Sequence, residues 1–168
     1  MTREPAPVAL LGWGESSDGH HISAPDPSGQ GARIAIEQAL SRAGVVPSEV
    51  DYINLHGTAT IQNDAMESKV VAGLFGEGVA VSSTKPLTGH ALGAAGGIEA
   101  ALFWLLMQDD NPDGHLPPHL WDGAQDPALR ALKVAGPGAR LGRPLSRVLS
   151  NSFAFGGSNA ALLLGRSA

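Results

Sequence analysis

Residues 82–97 read SSTKPLTGHALGAAGG, in which a lysine and a histidine stand five positions apart just ahead of a run of glycine and alanine. The apolar VAVSS at 79–83 leads into this stretch and reads as a strand. Thr88 is a candidate N-cap for a helix continuing to about Met107. A strand that ends in polar residues immediately before a helix marks an α/β layer, where strand exits and helix starts converge along one edge of a sheet. This reading sets His90 in the first helical turn, at the positive end of the helix dipole.

The same alternation continues on both sides. Upstream, VDYINLHG (50–57) is a strand with His56 at its exit, and Asn63 or Asp64 can cap a helix through about Leu74 or Phe75 with Met66, Val70 and Leu74 inward. From Gln30, residues Ala32, Ile34, Ala35, Ile36, Ala39 and Leu40 recur at helical spacing until Gly44 stops them. VALLGWG (8–14) is a strand, and SDGHHISAPDPSGQG (17–31) is a loop. Downstream, DDNPDGHLPPHLWDGAQDP (109–127) carries too many breakers to be regular. RVLSNSF (147–153) and AALLLGR (160–166) form a terminal hairpin through AFGGS. The order predicts an α/β fold with a mixed β-sheet packed against helices around a single core, with no repeat and no dividing linker.

Composition narrows the function classes. At 168 residues the chain suits one domain, and a formal charge of −5 with scattered basic residues gives no footprint for nucleic acid or an anionic membrane. The N-terminal MTREPAP lacks a signal-peptide core, and Ala91–Met107 is too short for comfortable membrane spanning, so a cytoplasmic location is expected. The chain contains no cysteine, which excludes disulfides, thiolate metal sites and a cysteine nucleophile from it.

Three polar clusters fall at element ends: NLHGTAT (54–60), SSTKPLTGH (82–90) and SNSFAFGG (150–157). His56 and His90 can face one pocket, where two neutral imidazoles stabilise a developing oxyanion without adding charge to the ground state. A buried Lys85 wants a carboxylate, which Glu67 or Glu99 can supply. Each also has a plainer reading: a capping histidine, a solvated loop lysine, a glutamate satisfying a buried backbone group. His115 and His119 are four apart, but the two prolines between them forbid the helix that would align them on one metal. No nucleophile elbow, P-loop or dinucleotide fingerprint is present.

In order and spacing the three clusters, written in full as NLHGTAT, SSTKPLTGHALGAAGGIEA and SNSFAFGGSNA, closely resemble the C-terminal half of the β-ketoacyl-[acyl carrier protein] synthases. These are the condensing enzymes of fatty acid and polyketide synthesis, in the thiolase-like superfamily. The resemblance implies a domain over 8–166 behind a short tail, 1–7. It implies that His56 and His90 stabilise the enolate left when malonyl-carrier protein loses carbon dioxide, with Lys85 in the same site and Glu67 as its carboxylate partner. It gives Thr58 and Thr60 the phosphopantetheine arm, Phe155 half of an oxyanion hole and the gate of the acyl pocket, and Phe153 a place beside it. Asn54, Glu99, Ser150 and Asn151 match positions that hold a structural monovalent cation in some members. No other cofactor is implied, and the substrates ride on acyl carrier protein.

Three departures qualify the likeness. Ala154 replaces a usual glycine, which stiffens the gate if that residue needs positive φ. HGTATIQND replaces the commoner serine and glycine pattern and points to a branch of specialised lipid or polyene synthesis. The acyl-accepting cysteine belongs to the family's N-terminal half, which this chain lacks. The expectation is therefore a C-terminal half, truncated or separately expressed and inactive alone, whose partner is the N-terminal half or a cysteine-bearing ketosynthase. The alternative is a chain-length-factor or scaffold subunit, against which the retained histidines and lysine argue. Family halves pack sheet layer on sheet layer, so an isolated half is expected to expose apolar surface and self-associate as a homo-oligomer.

Overall fold

The computed structural model describes residues 6–166, so the first five residues of the expected tail lie outside the described residues. Six strands form one mixed sheet in the order β1-β6-β5-β2-β3-β4. They are β1 (Val8–Ser17), β2 (Tyr52–Asn54), β3 (Ala80–Ser82), β4 (Lys133–Val134), β5 (Arg147–Phe153) and β6 (Ser158–Arg166). Strands β5, β2, β3 and β4 run parallel to one another, and β6 and β1 add antiparallel at one side. The α/β mixed-sheet expectation holds, with β4 as a strand that the sequence pattern did not single out.

Strand alternation sends successive side chains to opposite faces, and both faces are covered. On one, Ile53, Val81, Leu149, Phe153, Ala161 and Leu163 pack under α1 (Gln30–Ala43) and α2 (Ile61–Phe75). On the other, Tyr52, Ala80 and Val148 meet Phe103 and Met107 at and beyond the end of α4 (Ala95–Leu106). Two apolar layers on either side of one sheet thus replace the single core expected. Helix α1 lies directly on β1, because a Cβ at Gly12 or Gly14 would overlap the carbonyl oxygens of Ala39 and Ala35.

Two helix starts differ from the sequence reading. Helix α2 begins at Ile61, with Thr60 in extended backbone at the cap and the Asp64 N–H bonded to the Thr60 carbonyl at 3.0 Å. Asn63 and Asp64 therefore lie inside the first turn. Thr88 does not cap the long helix; it closes a single turn, α3 (Lys85–Thr88), which Gly89 ends at φ 72. A 3-10 turn at Leu92–Ala94 follows before α4 begins. His90 accordingly stands in irregular, exposed backbone rather than at a helix start. Among the described residues no helix is long and apolar enough to cross a membrane.

Candidate active site

The polar clusters meet at the carboxyl ends of the parallel strands β2, β3 and β5, the edge where open α/β sheets place their sites. His56 leaves β2 with its backbone N–H donating to Glu67 Oε1 at 2.8 Å, and the Gly57 N–H donates to Glu67 Oε2 at 2.9 Å. Asn63 Nδ2 and Asn151 Nδ2 each add a donor at 3.3 Å. Burial pushes the Glu67 carboxyl up, and these four donors hold it back. Glu67 is thus the anchor of the His56 loop and not the partner of Lys85, which corrects the role implied by resemblance. Lys85 Nζ donates instead to Glu99 Oε1 at 2.8 Å, with both side chains buried.

The His56 and His90 rings stand edge to face, with centroids 5.5 Å apart and planes at 85°. Phe153 closes on His56 from another side at 5.8 Å. His56 is buried, and its Nδ1 makes no hydrogen bond. Burial first, then the charge of Lys85 and the neighbouring His90, lower the His56 imidazole to about 3, so it is neutral at physiological pH. A neutral ring with a free polar edge, packed against phenylalanine, suits hydrogen bonding to a developing oxyanion.

Thr58 and Thr60 lie on the outer side of the same loop with hydroxyls 3.1 Å apart, and the intervening Ala59 holds φ 58, a left-handed conformation costly for alanine. Phe155 is 77% exposed on the turn between β5 and β6. Its loop is tied down at the next two residues: Gly156 N–H donates to the Ile22 carbonyl and the Gly157 carbonyl accepts from Asp18 N–H, each at 2.8 Å. Ala154 has φ −118 and is unstrained. The positive φ values fall on Gly156 and Gly157, so the substitution at 154 does not stiffen this loop through its backbone.

The four proposed cation positions divide. Asn54 and Ser150 are register partners on neighbouring strands, on the sheet face that also carries Tyr52 and α4. Both amide atoms of Asn54, together with Glu99 Oε2, are buried without hydrogen-bond partners, and the two oxygens are of the hard kind that a monovalent cation takes. Asn151 follows Ser150 on the strand, so its side chain faces the other way, toward Glu67. Asn54 and Ser150 thus share one sheet face while Asn151, whose Oδ1 is likewise without a hydrogen-bond partner, lies on the other, so the side chains of all four do not meet on one ion. Sequence reading missed Asn63 as a donor to Glu67, although its position four residues before Glu67 on one helix carries that signal.

Residues 8–120 match the family model described as Beta-ketoacyl synthase, C-terminal domain. The chain belongs to the β-ketoacyl synthase family. Over 160 residues it is 40% identical to 3-oxoacyl-[acyl-carrier-protein] synthase 2 of Rhizobium meliloti, covering 94% of this chain and 36% of that protein. Identity to the enzyme of the same name from Coxiella burnetii is 37%, covering 94% and 37%. Among solved structures, the ketosynthase ApeO in complex with its chain length factor ApeC from Xenorhabdus doucetiae superposes with a TM-score of 0.89 at 51% identity, over 99% of this chain and 41% of that one. A β-ketoacyl synthase from Burkholderia phymatum gives 0.85 at 35%, over 96% and 38%. The chain therefore spans well under half the length of these relatives, and it carries the thiolase-like C-terminal half of the ketosynthase fold.

Proposed function

We propose that this domain supplies the decarboxylation half of a 3-oxoacyl-[acyl carrier protein] synthase site and condenses only when paired with a cysteine-bearing half. The observation that carries the reading is the buried, neutral His56 set edge to face with His90 at 5.5 Å. When a malonyl thioester enters, loss of carbon dioxide leaves an electron pair that moves onto the thioester oxygen as an enolate. His56 and His90 hydrogen-bond that oxygen, and the carbon end attacks an acyl thioester held by the other half, expelling its thiolate to give the 3-oxoacyl product. Glu99 fixes the Lys85 ammonium, whose charge, after burial, helps keep the His56 ring neutral.

Thr58 and Thr60 present hydroxyls to the phosphopantetheine arm, and Phe155 gates the acyl channel, so acyl carrier protein is the delivering partner. The related ketosynthases solved with a chain length factor or with an acyl-carrier protein support such partners. A monovalent cation held by Asn54, Ser150 and Glu99 would coordinate the oxygens that lack hydrogen-bond partners on Asn54 and Glu99. Retention of both histidines and the lysine favours this reading over a chain-length-factor subunit. The test is 3-oxoacyl formation from acyl- and malonyl-carrier protein by this chain alone and mixed with a cysteine-bearing half. Product in the mixture alone supports the proposal, and turnover by the chain alone overturns it.

A further inference from the structure

Ser83, at the carboxyl end of β3, is fully buried and joins three parts of the site. Its hydroxyl donates to the Gly57 carbonyl at 3.1 Å and accepts the Lys85 N–H at 3.3 Å. Gly57 and Ser83 touch without slack, since a Cβ at Gly57 would stand 2.6 Å from the Ser83 Cβ. The loop of His56 and Thr58 and the turn of Lys85 are therefore both indexed to Ser83. Ser83 itself is held by a residue far along the chain: its N–H donates to His119 Nδ1 at 3.0 Å.

His119 sits on a strap tied firmly to the same strand end. The Pro117 carbonyl accepts the Ser82 hydroxyl at 2.7 Å, and the His119 N–H donates to the Ala135 carbonyl at 2.8 Å. The Ala135 N–H in turn donates to the Val81 carbonyl, also at 2.8 Å. Pro117 and Pro118 restrict the intervening backbone. Half-burial holds the His119 ring below its ordinary value, against the pull of Asp64 from α2, and the geometry sets Nδ1 as the acceptor facing the Ser83 N–H.

We propose that His119 is a positioning residue which, by accepting the Ser83 N–H, fixes the His56–Thr58 loop and the Lys85 turn relative to one another. Its kinetic consequence rests on the condensing function proposed above; its structural consequence does not. The test uses the assembled enzyme carrying this domain and two variants, His119→Leu, which fills the space without an acceptor, and His119→Asn, whose amide oxygen replaces Nδ1. In His119→Leu the Ser83 amide should exchange hydrogen about tenfold faster. The same variant should lose about tenfold in kcat at nearly unchanged KM for malonyl-carrier protein, because the reacting groups are misplaced while the carrier still docks. His119→Asn should restore both. Unchanged Ser83 exchange in His119→Leu, or His119→Asn no better than His119→Leu in exchange and rate, overturns the proposal. A parent enzyme with no condensation would count against the function alone, and the exchange comparison would still decide the positioning.

Discussion

His56 joins local sequence to chemistry most tightly. Its backbone is held by Glu67, its ring is walled by Phe153 and His90, and the fold keeps it neutral. The folded-state value, about 3, lies below the 6.5 of a free histidine, so between them the unfolded chain binds more protons. Stability should be fully present above about pH 6.5 and fall as the pH drops toward 3. Denaturant melts across this range should show the decline, and His56→Leu, with nothing to titrate at 56, should flatten it. The Lys85–Glu99 pair makes a second prediction at this scale. Lys85→Met leaves Glu99 buried and unpaired and should cost about 3–5 kcal/mol in the same melts, whereas Lys85→Met with Glu99→Leu should recover most of that loss.

At the scale of elements, α1 on β1 and the break before α4 carry opposite lessons. The Ala32–Leu40 periodicity and its Gly44 stop were legible because a 3.6-residue pattern and a C-terminal glycine act locally. The break at Gly89–Ala94 was not, because a run of small apolar residues is equally compatible with a helix; only the left-handed Gly89 and Leu92 divide it. The partner of Lys85 was equally hidden, since Glu67 and Glu99 lie on different helices and only packing selects Glu99. The split of the cation set was legible in principle, because adjacent Ser150 and Asn151 on a strand must face opposite ways. Gly14 supplies the test of the α1–β1 contact. Gly14→Ala drives a Cβ into the Ala35 carbonyl and should destabilise by about 1–3 kcal/mol, read from the denaturation midpoint.

At the scale of the whole molecule, α4 is apolar almost all round, yet among its residues only Ala95, Glu99 and Phe103 are buried. Ile98, Trp104 and Leu105 are exposed on its outer side, a surface that a helix of a finished core would cover. On the function proposed above this is the face offered to the cysteine-bearing half, and the domain on its own should self-associate through it. Light scattering should then report a mass above the monomer that falls when Trp104 is replaced by glutamate; a strictly monomeric parent contradicts the proposal. That polar clusters gather at strand exits on one edge was readable from the element pattern, and the family from the resemblance of those clusters to its motifs, whereas the Ser83–His119 link depends on a long, irregular connection that has no periodicity to read. The most direct measurement is carbon dioxide release from malonyl-carrier protein by the assembled enzyme and its His56→Ala and His90→Ala variants. Each variant should lose about a hundredfold or more, with carrier-protein binding retained; release at the parent rate in either variant would contradict the role of the two histidines.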